Sequence, residues 1–194
     1  MYKLKAINKN KAFNDFVSTG LLDVKSEKAF PVIAGGAVRT FLLQDENPND
    51  FDVFIIGDDA ELKAKLLLFL TNLGQNIFTC PEGHLYSYQT EIVKIQLITP
   101  TIYLSISDLL DTFDLTPCRA AFDGGFAYLD KQFIRDVKKK VLNIHRVSYP
   151  VATMNRIFKY KTYGYNTIQA VEDFVLSVHE NQFPEDAMFR RYID

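Results

Sequence analysis

Two aspartates separated by one residue, Asp50 and Asp52, are the side chains of this sequence best suited to chemistry. They lead into the apolar run 53–56, and together these residues predict a β-strand over 50–56. Successive side chains of a strand point to opposite faces, so the two carboxylates share one face. Carboxylate oxygens are the ligands that a hard divalent cation such as Mg²⁺ prefers. The pattern therefore predicts a metal site, with Asp50 and Asp52 as metal ligands and catalytic residues.

A glycine pair, Gly35 and Gly36, precedes the aspartates. It follows an apolar run that predicts a strand over 30–34, and it precedes an apolar-periodic segment, 37–43, that predicts a helix. Glycine lets the backbone approach a ligand closely, and the N–H groups at the start of a helix bind phosphate. Arg39, one turn into that helix, adds positive charge. These residues are predicted to bind a nucleotide through its triphosphate.

Each feature also has a simpler interpretation. A glycine pair between a strand and a helix often forms only a tight turn, and two acids at the start of a strand can lie on a solvated edge. The two features in this order, joined by one short helix and a loop, favour metal-assisted nucleotidyl transfer.

The same order of motifs resembles the signature of the polymerase-β-like nucleotidyltransferase superfamily. The run GGAVRTFLL, which starts at Gly35, is similar to the GGxVRDxLL segment of the bacterial CCA-adding enzyme and poly(A) polymerase branch. Thr40 stands where that branch has an aspartate. The resemblance covers residues 31–165 and implies a catalytic head followed by a neck helix. It also implies an NTP substrate and two Mg²⁺ ions.

Two regions depart from the family pattern. In the superfamily a third acid lies on the strand predicted over 92–98, and here Gln96 takes its place. An amide cannot accept a proton or supply a full charge to a hard cation. The segment 114–123 is similar to the branch's RRDFTINALAYD motif and matches it at Asp114, Thr116 and Asp123. The family's two arginines and one asparagine are replaced by Thr112, Phe113 and Cys118.

Positive charge concentrates in 131–165, which carries +8 although the whole chain carries −2. Such asymmetry favours a phosphate-rich partner, and the alternative is a solvated basic helix beside an acidic half. The part 150–165 resembles the family's neck helix, which begins with proline and closes with glycine and an aromatic residue. Arg156 and Lys159 in this part are weaker candidates for nucleotide or acceptor phosphates. Tyr160 and Tyr163, interleaved with them, either stack on bases or pack on the next helix.

Cys80 and His84, in the run CPEGH, are two metal-ligand types in one predicted loop. Two ligands do not make a tetrahedral zinc site, and no second pair lies nearby in the sequence. No zinc site is therefore predicted.

The predicted fold class is α/β (α+β): a small mixed nucleotidyltransferase sheet flanked by helices, with a short C-terminal helical appendage. The predicted division is 1–147 for the head and 148–194 for the helical neck and appendage. Further helices are predicted within 8–22, over 60–73, 105–113 and 166–180, and near 183–194. Short strands are predicted over 77–79 and 85–88.

Hydrophobic and charged contents of 47% and 24% are ordinary for a globular protein. The start of the chain has no apolar core of signal-peptide length, and no run approaches a membrane span. Two cysteines far apart suit a reducing compartment, so a soluble cytoplasmic protein is expected. Few residues follow the neck, in contrast to the family's large tRNA-binding body, and such a compact version would suit a phage.

The function predicted from these observations is transfer of an NMP from an NTP to an acceptor hydroxyl, either at an RNA 3′ end or on a protein. The departures at Gln96, Thr40 and Cys118 favour an alternative: a catalytically inactive nucleotidyltransferase fold that serves as a binding or assembly module. The base preference and the oligomeric state are left open.

Overall fold

The computed structural model describes residues 1–5, 8–43, 48–181 and 183. Within them eight strands form one sheet: β1 (Tyr2–Leu4), β2 (Phe30–Ala34), β3 (Asp50–Ile56), β4 (Gly74–Thr79), β5 (Leu85–Thr90), β6 (Lys94–Tyr103), β7 (Ala120–Phe122) and β8 (Ala127–Leu129). Their spatial order is β1-β8-β7-β2-β3-β6-β5-β4. Only β3 and β6 run parallel, and the other neighbours are antiparallel. The predicted mixed sheet is confirmed.

Six α-helices flank or follow the sheet within the same residues: α1 (Lys11–Ser18), α2 (Ala60–Leu73), α3 (Ile106–Leu110), α4 (Lys131–Lys139), α5 (Pro150–Thr162) and α6 (Ile168–Glu180). The predicted strands over 30–34 and 50–56 and the helix over 60–73 have these bounds in the structure. The helix predicted over 37–43 is instead a 3-10 helix, Gly36–Phe41. The helix predicted near the C-terminus lies almost wholly outside the described residues.

The central strand β3 separates two hydrophobic cores. Phe51, Val53 and Ile55 point into a core built with α1 and α2, where the rings of Phe51 and Phe16 stack with centroids 4.4 Å apart. Phe54 and Ile56 point into a second core, which α3 covers. Because side chains alternate along a strand, Asp50 and Asp52 share the face of Phe54. The carboxylates therefore stand where the second core ends and a polar surface begins.

A third hydrophobic cluster joins α5 and α6 to the chain segments around Leu115 and Leu142. Tyr160 on α5 is buried in this cluster with 3% exposure, whereas Phe158 on the same helix is 58% exposed. The helix α6 is buried mainly through Ala170 and Phe174, whereas Ile168 and Val175 on it are exposed. The predicted head and neck division stays a prediction.

None of the helices in the described ranges has the length and apolar character that crossing a bilayer requires.

Candidate nucleotide-binding cleft

A cavity of about 1090 Å³ lies between one face of the sheet and α5, and it is referred to below as the cleft. Its walls include every residue that the sequence nominated for the site: Gly35, Gly36, Arg39, Asp50, Asp52, Arg156 and Lys159. These residues come from parts of the chain more than 100 positions apart. The fold thus brings the predicted carboxylates, glycines and cations to one concave surface.

The glycine pair forms the floor of the cleft beside the carboxylates. Gly35 has a φ of 85°, a backbone conformation that L side chains rarely adopt. A Cβ placed on Gly35 would lie 3.8 Å from Oδ2 of Asp52 and 3.3 Å from the ring of Phe113. A Cβ on Gly36 would lie 3.3 Å from Nη1 of Arg39. The absence of side chains therefore keeps bare backbone next to both an acid and a guanidinium group.

The parallel register of β3 and β6 decides the neighbours of the two aspartates. Asp50 lies opposite Lys94, whose Nζ is 4.0 Å from Oδ2 of Asp50, and Asp52 lies opposite Gln96. The Gln96 side chain is buried, and its Nε2 donates a hydrogen bond of 3.0 Å to Oγ of Ser87 on β5. The position beside Asp52 is therefore neutral and is tied to the neighbouring strand.

Arg39 is buried between the glycine pair and the neck helix α5. Its Nη1 donates a hydrogen bond to the hydroxyl of Tyr160, and its Cζ lies 5.1 Å from the centroid of the Tyr160 ring and 6.0 Å from that of Tyr163. A guanidinium group over an aromatic face is stabilised by the ring quadrupole. Tyr160 and Tyr163 thus hold the Arg39 charge at the cleft wall. The sequence had left open whether these tyrosines stack on bases or pack on the next helix.

Cys118 and Tyr160 form a neutral pair in the same wall. Sγ of Cys118 lies 3.1 Å from the hydroxyl oxygen of Tyr160. Burial raises the pKa of the Cys118 thiol, and it raises the pKa of Tyr160 well above its ordinary value. Both groups are therefore protonated at neutral pH. A thiolate nucleophile at Cys118 does not fit this environment.

Asp114 joins the head to the neck. Its Oδ2 accepts hydrogen bonds from Oγ1 of Thr153 at 2.9 Å and from Nη1 of Arg156 at 2.8 Å, and both donors belong to α5. Its main-chain carbonyl accepts the N–H of His145 at 2.7 Å. From the sequence, Asp114 was only a match to the family motif, and Arg156 was a candidate ligand for phosphate. Their pairing spans 42 positions and could not be read from local pattern.

Thr40 stands where the family motif has an aspartate, and its hydroxyl is fully hydrogen-bonded. Its hydroxyl donates to the carbonyl of Ala37 at 2.7 Å and accepts a hydrogen bond of 2.7 Å from Nδ2 of Asn8. Thr40 is buried, so this substitution supplies local structure and contributes no charge to the cleft.

A comparison of the sequence with protein families shows to which family the chain belongs. The profile of the Gabija anti-defense 2 family matches residues 7–140. The chain belongs to the Gabija anti-defense 2 family. A relative in Bacillus phage SPbetaL7, named Gabija anti-defense 2, is 26% identical over 135 residues. The alignment covers 66% of this chain and 32% of the phage protein, so the chain spans about a third of that relative.

Solved structures similar to this Gabija anti-defense 2 family member are tRNA-processing enzymes. A CCA-adding enzyme with CTP gives a TM-score of 0.62 at 18% identity, over 86% of this chain and 43% of the enzyme. The Thermotoga maritima CCA-adding enzyme complexed with tRNA gives 0.60 at 20% identity, over 86% and 42%. An apo tRNA-processing enzyme gives 0.61 at 19% identity, over 94% and 52%. The predicted polymerase-β-like nucleotidyltransferase fold is therefore confirmed.

Replacing Gly35 by alanine in this family member is expected to weaken NTP binding by about tenfold or more, because the added methyl group occupies the space in front of Asp52. The Gly35 backbone, with φ of 85° and ψ of −141°, lies in a region that L side chains rarely adopt, and this adds a folding cost of about 1–3 kcal/mol. Gly164→Ala is the matched control, since Gly164 has a φ of 80° and nothing within 4 Å of the new Cβ. Calorimetric titration with NTP should separate the variants. Equal affinities for both would contradict the placement of the triphosphate at Gly35.

Proposed function

We propose that this Gabija anti-defense 2 family member is a metal-dependent nucleotidyltransferase that moves an NMP from an NTP to an acceptor hydroxyl, at an RNA 3′ end or on a protein. The observation that carries the proposal is the position of Asp50 and Asp52 on one face of β3, in a cleft that also contains the bare backbone of Gly35 and Gly36. The nucleotidyltransferase fold supports it.

The donor set fits Mg²⁺. Mg²⁺ in proteins is commonly bound by one or two carboxylates together with substrate phosphates and water, and Asp50 and Asp52 supply two carboxylates of that kind. Asp50 and Asp52 would hold two Mg²⁺ ions, which would supply neutralisation of the triphosphate charge and activation of the acceptor hydroxyl. Lys94 is the cation that the structure places beside Asp50, with its Nζ 4.0 Å from Oδ2.

The other residues of the cleft are assigned to substrate positioning. Gly35 and Gly36 let the triphosphate approach the backbone, and Arg39 adds a positive charge that the neck tyrosines hold in place. Lys159 on α5 is assigned to a phosphate of the nucleotide or of the acceptor. Arg156 also lines the cleft, but it shares its charge with Asp114 and is therefore the weaker phosphate ligand.

The reaction forms one bond and breaks one. The acceptor oxygen attacks the α-phosphorus, the bond from the α-phosphorus to the bridging oxygen breaks, and pyrophosphate leaves. Gln96 cannot take the hydroxyl proton, because an amide is not a base at neutral pH. We therefore assign that proton to water. A slow chemical step is the expected consequence.

The buried hydrogen bond from Gln96 to Ser87 favours a second candidate function. It leaves the position beside Asp52 neutral, as expected of a nucleotidyltransferase fold that has lost catalysis. A relative named for anti-defense is compatible with action by binding alone. In this alternative the chain is a binding or assembly module.

A label-transfer screen tests the proposal. The purified protein is incubated with each NTP labelled at the α-phosphate, with Mg²⁺ and with total RNA plus cell lysate. The control is Asp50→Ala/Asp52→Ala, whose fold is checked by circular dichroism. Label on RNA or protein that requires the intact pair would support the transferase and name its acceptor. Absence of label, together with absence of Mg²⁺-dependent NTP binding, would favour the module.

A further inference from the structure

The turn between β4 and β5 brings three metal-ligand types together, away from Asp50 and Asp52. Sγ of Cys80, a carboxylate oxygen of Glu82 and a ring nitrogen of His84 all lie within 4.8 Å of one another. Around a tetrahedral zinc ion the same atoms would stand about 3.3–3.6 Å apart, given the usual zinc–ligand bond lengths. Glu82 is exposed and His84 is half-buried, so side-chain rotation can close this difference. The sequence had suggested only the cysteine and the histidine.

The turn is fixed by hydrogen bonds on both sides of the cluster. The N–H groups of His84 and Leu85 donate to Sγ of Cys80 at 3.2 Å and 3.1 Å. The carbonyl of Gly83 accepts hydrogen bonds from Nζ of Lys63 at 2.9 Å and from the hydroxyl of Tyr86 at 2.7 Å. Backbone N–H groups aimed at a sulfur compensate the negative charge of a metal-bound thiolate. The two N–H groups thus preorganise Sγ of Cys80 as a metal ligand.

We propose that Cys80, Glu82 and His84 bind one Zn²⁺ ion in the wall of the cleft. Sulfur, carboxylate and imidazole ligands together select zinc over Mg²⁺, which requires oxygen ligands. Three protein ligands leave a fourth position for water or for a group of a bound molecule. Glu82 and His84 line the same cleft as the two aspartates, so the zinc orders the wall opposite α5. This site goes beyond the nucleotidyltransferase function and does not depend on it.

Cobalt substitution tests the site without any activity assay. The chain is stripped of metal with a chelator and titrated with Co²⁺, which gives a thiolate charge-transfer band and intense visible bands when four-coordinate. The expected result is saturation at one equivalent, displacement of Co²⁺ by Zn²⁺, and no displacement by excess Mg²⁺. Cys80→Ser should lose the charge-transfer band. Glu82→Gln should weaken binding by more than the roughly 10–100-fold that loss of an outer-shell partner costs.

Two matched variants decide between this site and adventitious binding. Cys118→Ser removes the other cysteine of the chain and should keep the band, and Asp50→Asn/Asp52→Asn should bind Co²⁺ at the turn unchanged. Because Glu82 is exposed, Glu82→Gln is expected to fold even where Cys80→Ser does not. A wild-type chain without a thiolate band would overturn the proposal. So would a band that survives in Cys80→Ser and is lost in Cys118→Ser.

Discussion

Replacing Asp52 by asparagine is expected to reduce nucleotidyl transfer by about 10³-fold or more while the fold is retained, since loss of one charge-stabilising group in an active site commonly costs 10²–10³-fold. The amide has the shape of the carboxylate but carries no charge and cannot hold a hard cation with full strength. Asp52 lies opposite Gln96, which is also neutral, so no neighbouring acid on β6 replaces it. The rate of label transfer at saturating Mg²⁺ measures the effect.

Asp58→Asn is the matched control for that variant. Asp58 follows the same strand, is exposed and is not among the residues that line the cleft. It should keep the wild-type rate. Full activity in Asp52→Asn, or turnover in the presence of a chelator, would exclude a mechanism in which Asp52 holds the metal.

Replacing Asp114 by alanine is expected to lower the free energy of unfolding by about 3 kcal/mol, the scale for a charge-assisted hydrogen-bond network that loses its shared acceptor. The change leaves the hydroxyl of Thr153 and the guanidinium of Arg156 without the carboxylate to which both donate. It also removes a link between the head and α5. Urea denaturation, compared with wild type at constant pH, measures the loss.

Two further variants serve as controls for the unfolding measurement on Asp114→Ala. Asp111→Ala removes an exposed acid that is ion-paired with Arg119, and it should cost no more than about 1 kcal/mol. Arg156→Ala combined with Asp114→Ala should cost less than the two single changes added together, because they share one interaction. A loss for Asp114→Ala as small as that for Asp111→Ala would contradict the role of Asp114 as a clamp between head and neck.

The parts of the fold that local pattern specifies were predictable. The strand β3 was predicted with its observed bounds because an apolar run between polar turns permits little else, and α2 because Gly74 ends an uninterrupted helical run. The structure adds that Asp59 caps the start of α2. The 3-10 helix after Gly36 was predicted as a helix, since both geometries place apolar residues at similar spacing. The seven nominated site residues line one cleft because the order of motifs specifies a familiar sheet topology.

Other features depend on contacts between distant segments. The face of α5 that becomes buried is decided by its contacts with α6 and with the segments around Leu115 and Leu142, so Tyr160 is buried and Phe158 is exposed. The pairing of Asp114 with Arg156 joins residues 42 positions apart. The cluster of Cys80, Glu82 and His84 is local in sequence, but its assembly depends on the turn that brings the Glu82 carboxylate near the other two ligand atoms. Spacing along the sequence does not encode the burial of Tyr160 or the pairing of Asp114 with Arg156.

The most direct test of the proposed function compares one NTP labelled at the α-phosphate with the same NTP labelled at the γ-phosphate, using the acceptor that the screen identifies. Nucleotidyl transfer places the α label on the acceptor and releases the γ label in pyrophosphate, and both signals should disappear in Asp52→Asn. Label from the γ-phosphate on the acceptor would indicate a kinase. Release of the γ label without any α label on an acceptor would indicate hydrolysis, and either result would contradict nucleotidyl transfer by this protein.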